Sequence, residues 1–264
     1  MREILAHVQF RGTIRERSVE PYLRLFKGLR NRRRVKGVLF DISSGGGEVV
    51  ASADLYLALK RLDQVKPVFA SIGSIGASGA YMAAIGTRRV FAYPESEVGS
   101  IGVIFAHFAA RDLVRRLGIS LELLHEGVHK DAYQGYRPLT DEERAKLQAI
   151  THEEYEQFVE LVARERKRPV EEIRALATGE FWTGVQAQKL GLIDALGDRE
   201  IAMEELARLT GVPSRKTVRV APPRALLDRI LYGSASDAGG GLLGRLSGSV
   251  EDAILDLGGS TFRR

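Results

Sequence analysis

The sequence has 264 residues, 44% hydrophobic and 28% charged. That is enough for one large domain or two small ones around a real core, and it is unlike disordered, collagenous or coiled-coil chains. It contains no cysteine, which excludes disulfides, thiolate nucleophiles, CxxC redox chemistry and thiolate zinc sites. Thirty-nine Lys and Arg against 34 Asp and Glu leave a net charge of +5, too slight an excess to imply nucleic acid.

The opening MREILAHVQFRG carries Arg2, Glu3 and Arg11 and no long apolar run, so it reads as neither signal peptide nor membrane anchor. Ile4–Phe10 is expected as a strand. Ser18 is expected to cap a helix in which Val19, Tyr22, Leu23, Phe26 and Leu29 recur at helical spacing, with Pro21 tolerated in the first turn. Lys36–Ser43 reads as a buried strand, Gly45–Gly47 as a glycine turn and Glu48–Leu62 as a helix. Val68–Ile72 is another strand, followed by a small-residue helix from Ser78 to about Ile85. Val68 to Thr87 runs twenty residues without a charge, long enough to cross a bilayer. Its Gly and Ser density, following Pro67, favours a buried strand, turn and helix instead.

Strands at Arg89–Tyr93 and Val98–Phe105 follow, then a helix near Ala109–Leu117 and a strand at Ile119–Leu124. Thr140 and Glu143 form a capping box before a long helix, Asp141 to about Arg166. Pro169 opens another helix, and Thr183–Leu190 and Asp198–Thr210 read as two more. Strand and crossover helix in alternation predict an α/β sheet covered by helices. No linker divides the first 210 residues, and residues 1–221 are expected as one domain. Pro222-Pro223 then break the chain, and Gly233–Ser249 is rich in Gly and Ser. Residues 222–264 are therefore expected as a flexible tail with an apolar segment at Val250–Leu257.

Three segments could carry chemistry. Gly45, Gly46 and Gly47 stand between a strand and a helix, where backbone N–H groups can hold a phosphate or an oxyanion, or simply form a tight turn. The spacing fits neither a dinucleotide fingerprint nor a Walker loop. Ser78, in Gly73-Ser74-Ile75-Gly76-Ala77-Ser78-Gly79-Ala80, is either a nucleophile exposed at a strand–helix junction or a plain helix cap. The α/β-hydrolase elbow is excluded, because Ala80 stands where G-x-S-x-G requires glycine. Among His7, His107, His125, His129 and His152, His107 is the best placed for a serine triad, yet it lacks an evident carboxylate partner. Lys130 is the other candidate base. An ordinary lysine, with a pKa of ~10.4, is charged at neutral pH and must be enclosed among apolar groups to serve.

These pieces, in this order, resemble the signal peptide peptidase SppA family of serine–lysine proteases in its short form, over about Val35 to Leu209. The resemblance rests on the glycine run, on S-I-G-A-S-G-A-Y-M around Ser78, and on V-G-S-I-G-V-I at Val98–Ile104. It also rests on G-V-H-K-D around Lys130 and on G-V-Q-A-Q-K-L-G-L-I-D at Gly184–Asp194. It implies a crotonase/Clp-protease-like fold, a spiral core of repeated ββα units with additional C-terminal helices. It further implies a serine endopeptidase with Ser78 as nucleophile, Lys130 as general base, Ser100 positioning the lysine amine, and the backbone N–H groups of Gly46 and Gly79 as oxyanion hole. Neither a cofactor nor a metal is implied.

Family members form rings or domes in which the serine and lysine of one site come from adjacent subunits. The resemblance thus implies a homo-oligomer acting on peptides. Ile42, Ser43 and Ser44 stand where the family usually has asparagine, serine and proline, a change that loosens the turn but leaves its backbone donors. Many relatives carry an N-terminal membrane segment; none is read here, so a cytoplasmic protein, at most peripheral to the membrane, is the expectation. Three rivals arise from the same fold. A crotonase-like acyl-CoA enzyme would need a carboxylate base and no Ser78. A Clp-type Ser-His-Asp peptidase would depend on His107. A peptide-binding scaffold would need no nucleophile.

Overall fold

A computed structural model describes residues 3–222; the tail expected beyond residue 222, with its apolar segment Val250–Leu257, lies outside them. The first strand, β1 (Ile4–Arg11), leads through helix α1 (Glu16–Asn31) to β2 (Val35–Ser44), and α2 (Val49–Asp63) leads to β3 (Val68–Ala77). After α3 (Gly79–Ile85) come β4 (Arg89–Ala92) and β5 (Glu97–Gly99). The chain then passes through α4 (Arg111–Arg116), α5 (Asp141–Arg166), α6 (Val170–Leu176) and β6 (Phe181–Thr183). It ends in α7 (Gly184–Lys189), β7 (Ala195–Leu196), α8 (Arg199–Thr210) and β8 (Thr217–Arg219).

Strands β8, β1, β2 and β3 lie side by side in parallel, and β4 joins β3 on its outer side. A parallel sheet must be covered on both faces, and the two-residue period of β2 shows how. Val38, Phe40 and Ile42 join the main core with residues of α1, α2, α3 and α5. Leu39 faces the opposite side, with Leu5, Phe69 and Phe91, under Ala202, Met203 and Leu206 of α8. The twenty uncharged residues Val68–Thr87 are β3, α3 and the turn after it, and every residue of α3 is buried. Among the described residues no helix is long and apolar enough to cross a membrane.

Strand β3 is the element that builds the site, because it forks the sheet. Its first half, Phe69–Ile72, pairs with β4; its last three residues, Ile75–Ala77, pair with β5, which runs antiparallel to β6. Between the halves the register against β2 shifts, and the Ser96 hydroxyl donates to the freed Gly73 carbonyl at 2.5 Å. A bulge of this kind bends a strand and re-aims its remaining residues. Here they lead directly into Ser78.

Several expectations need correction. Helix α1 begins at Glu16, a turn before the expected cap, so Ser18 sits in its first turn, accepts the Arg15 N–H at 2.9 Å, and Pro21 falls inside the helix. The start has a local and a tertiary partner: Arg15 and Ser18 form a capping box, and the carboxylate of Glu48, the N-cap of α2, accepts the Glu16 N–H at 2.8 Å. The expected strand Val98–Phe105 is cut to Glu97–Gly99, because Ser100 turns the chain with φ 47°. No strand forms over Ile119–Leu124, whose residues are exposed and meet no neighbouring strand. The short β6, β7 and β8 were beyond the reach of any periodicity. Thr140 and Glu143 form the capping box as expected, and α5 has the expected bounds.

Candidate active site

Ser78 caps the end of β3 with φ 53° and ψ −124°, a conformation that L-residues avoid at a cost of about 1–3 kcal/mol. Its N–H donates to the Gly99 carbonyl at 2.7 Å and its carbonyl accepts from Met82 at 3.0 Å. Both backbone groups are thus tied down, while the side chain makes no capping hydrogen bond. That removes the plain helix-cap role. A hydroxyl presented on a strained, doubly anchored backbone is the arrangement expected of a nucleophile at a strand–helix junction.

The glycine turn lies directly over it. A methyl group on Gly46 would stand 2.8 Å from Ser78 Cβ and 2.9 Å from the Gly79 nitrogen, and Gly46 has φ 95°. Only glycine permits both the backbone and the contact. The turn is held from outside: Ile14 N–H donates to the Gly46 carbonyl and Glu48 N–H to the Ile14 carbonyl, each at 2.9 Å. The Gly46 N–H donates to Ser44 Oγ at 3.1 Å. Gly79 is pressed against α2, where an added methyl group would lie 1.9 Å from Ser52 Oγ.

Ser100 has φ 47°, and its N–H donates to the Glu180 carbonyl at 2.8 Å. It lines, with Ser78 and Gly46, a cleft of about 700 Å³ whose apolar walls include Val49, Ile104 and Tyr155. Tyr155, held by a 3.1 Å hydrogen bond from its hydroxyl to the Ala177 carbonyl, went unread in the sequence, since nothing distinguishes it there from any other aromatic residue on α5.

The structure therefore brings Ser78, Ser100, Gly46 and Gly79 together and leaves Lys130 elsewhere. Lys130 is exposed and does not line the cleft. It stands on an arm, residues 103–139, that leaves the body after β5 and returns at α5. Helix α4 on this arm buries none of its residues, and Ile104, Phe108, Leu124 and Val128 are each more than 80% exposed. None of the histidines lines the cleft either. His107, the best triad candidate, meets the Arg137 carbonyl at 2.9 Å, and His7 meets Asp41 at 3.2 Å.

Comparison with known proteins gives the family of the chain. Residues 60–213 match the model of Peptidase family S49. The Synechocystis protein "Putative protease slr0021" is 34% identical over 236 residues, covering 89% of this chain and 85% of its own. "Serine protease SPPA, chloroplastic" of Arabidopsis thaliana is 30% identical over 221 residues, 82% of this chain but 33% of that larger protein. Among solved structures, a mutant of the membrane-bound stomatin-specific protease 1510-N superimposes with a TM-score of 0.56 at 14% identity, covering 84% of this chain and all of its own. The fold is of the Clp-protease/crotonase-like kind that the sequence led us to expect. The chain belongs to Peptidase family S49, a family of serine peptidases.

Proposed function

We propose that this protein cleaves peptides with Ser78 of one chain and Lys130 of a neighbouring copy. The observation that carries the reading is the backbone of Ser78, strained and fixed at both ends with its hydroxyl uncommitted, in one cleft with Ser100 and Gly46. The exposed apolar arm supports the second half: it carries Lys130 away from its own cleft and presents a surface that a second copy would cover.

In the proposed reaction Ser78 Oγ attacks the scissile carbonyl carbon while its proton passes to the neutral Lys130 amine, whose orientation Ser100 Oγ holds. The N–H groups of Gly46 and Gly79 receive the oxyanion, and Ser44 Oγ yields the Gly46 donor to it. Such donors typically contribute about 3 kcal/mol each to the transition state. The intermediate collapses as Lys130 returns the proton to the leaving nitrogen, leaving an ester on Ser78. Water then gives a proton to Lys130 and attacks the ester, and that proton restores the Ser78 hydroxyl.

Subunit mixing tests this. Ser78→Ala and Lys130→Ala should each be inactive on an unstructured peptide. Reassembled together, they should regain activity, because about a quarter of the interfaces would join an intact serine to an intact lysine. Activity in Lys130→Ala alone would refute the base, and failure of the mixture to recover would refute sharing between copies.

A further inference from the structure

The turn that carries Lys130 is held by an unusual fastening. Arg137 donates from Nε and one terminal nitrogen to both oxygens of Asp131, at 2.8 and 2.9 Å. From its two terminal nitrogens it donates to both oxygens of Glu143, each at 2.8 Å. Glu143 is 2% exposed, lies in the first turn of α5 and also accepts the Thr140 N–H at 2.9 Å. His129 Nδ1 approaches the same carboxylate at 3.4 Å. Hydrogen bonds from Arg137, seconded by Thr140, hold the Glu143 carboxyl far below the usual range, so this anchor stays charged. The residues on either side of Lys130 are thereby tied to one buried carboxylate, His129 directly and Asp131 through Arg137. Ala132, the next residue in the chain, is fully buried.

Resting on the reading of Lys130 as base, we propose that Arg137 is a positioning residue for the reaction, which with Asp131 and Glu143 fixes the turn that presents the Lys130 amine to a neighbouring subunit. The arm around this turn is mostly exposed and without strands, and its other ties are backbone hydrogen bonds such as that from Ala110 N–H to the Gly135 carbonyl at 2.9 Å. An amine carried at the end of four methylenes on such an arm would wander over several ångströms. Displacement of a reacting group by about 1 Å can lower a rate about 100-fold. A planar guanidinium can grip two carboxylates at once in fixed geometry, which a lysine ammonium cannot.

Arg137→Lys tests this, because it keeps the charge and loses the double fork. We expect kcat to fall about 100-fold with KM nearly unchanged, in protein that still assembles. Mixing adds a readout that a general loss of structure would not produce. Arg137→Lys chains have an intact Ser78 but a misplaced lysine. Reassembled with Ser78→Ala they should regain activity, and with Lys130→Ala they should not. Wild-type kcat in Arg137→Lys, or recovery with both partners or with neither, would overturn the proposal. If Arg137→Lys does not fold, Asp131→Asn, which leaves the Arg137–Glu143 pair intact, decides by the same mixing pattern. Lys130→Ala, run in parallel, separates the two levels: if it is active the base assignment fails and this inference with it, whereas an inactive Lys130→Ala beside a fully active Arg137→Lys sinks the positioning role alone.

Discussion

Ser78 and Ser100 hold left-handed backbones at the ends of adjacent strands, φ 53° and 47°, and are coupled through the hydrogen bond from the Ser78 N–H to the carbonyl of Gly99. Lys167, the third non-glycine residue of this kind among the described residues, is a helix C-cap, where such a conformation is ordinary. The strain at the other two sits where chemistry is proposed. Glycine adopts the Ser78 backbone without penalty. Ser78→Gly should therefore abolish turnover while raising stability by about 1 kcal/mol, read as a higher denaturant midpoint at unchanged slope. A variant less stable than wild type would mean that the hydroxyl contributes more to the fold than the strain takes from it.

Gly79 is required for a different reason, namely contact. Its missing side chain lets α3 close on α2 at Ser52, whose Oγ and Cβ would lie 1.9 and 2.7 Å from an added methyl group. Gly79→Ala should destabilise by about 2 kcal/mol, as overpacking does. Ser52→Gly removes both clashing atoms, and although it costs about 1 kcal/mol as a helix glycine, the double variant should be more stable than Gly79→Ala. Simple additivity of the two losses in a double-mutant cycle would contradict the packing account.

How far the sequence could be read depends on where each element finds its partners. The capping box of Thr140 and Glu143, the bounds of α5, and the alternation of β2, α2, β3 and α3 rest on neighbours in the chain, and they were legible. The start of α1 was not: Ser18 serves it from inside the first turn and the carboxylate of Glu48 from across the fold. The fork in β3 was hidden too: its bulge is revealed by the register against β2, not by the apolar run that spells it. Ser78, Gly46 and Gly79 could be singled out as types in a pattern, but the contact of Gly46 with Ser78 and Gly79 required the fold. The apolar run Ile119–Leu124 misled as a strand because its hydrophobicity faces outward on the arm.

Asp41 offers a prediction about acid. Its side chain, 4% exposed on β2, accepts from Arg11 at 2.7 Å and meets His7 at 3.2 Å. Burial pushes its carboxyl upward, but the hydrogen bonds from His7 and Arg11 outweigh this and hold it below the usual carboxylate range. A depressed carboxyl stabilises the fold above its unfolded pKa of ~3.9, and that contribution disappears as pH falls through the folded value. Asp41→Ala should thus cost about 2 kcal/mol at neutral pH, a loss softened because Arg11, 43% exposed, can turn to water once its partner is gone. Urea melts of the two proteins should converge as pH drops below about 3.9. A difference that stays constant down to acid would show that Asp41 acts through packing and not through its charge.

Phe108 and Leu124 are 82% and 91% exposed, and side chains of that size stabilise by roughly 1.5–3 kcal/mol each when covered. If a second copy covers them, Phe108→Glu with Leu124→Glu should dissociate the protein to monomers in sedimentation. The body of each chain should be unaffected, since neither residue contributes to its core: unfolding of the monomer should shift by no more than about 0.5 kcal/mol. Peptide cleavage should nevertheless vanish, because Ser78 would then stand in an intact cleft with no lysine brought to it. A monomeric double variant that still cleaves peptides would separate assembly from catalysis and require a base from within the single chain, where the cleft walls hold none of the five histidines and no lysine.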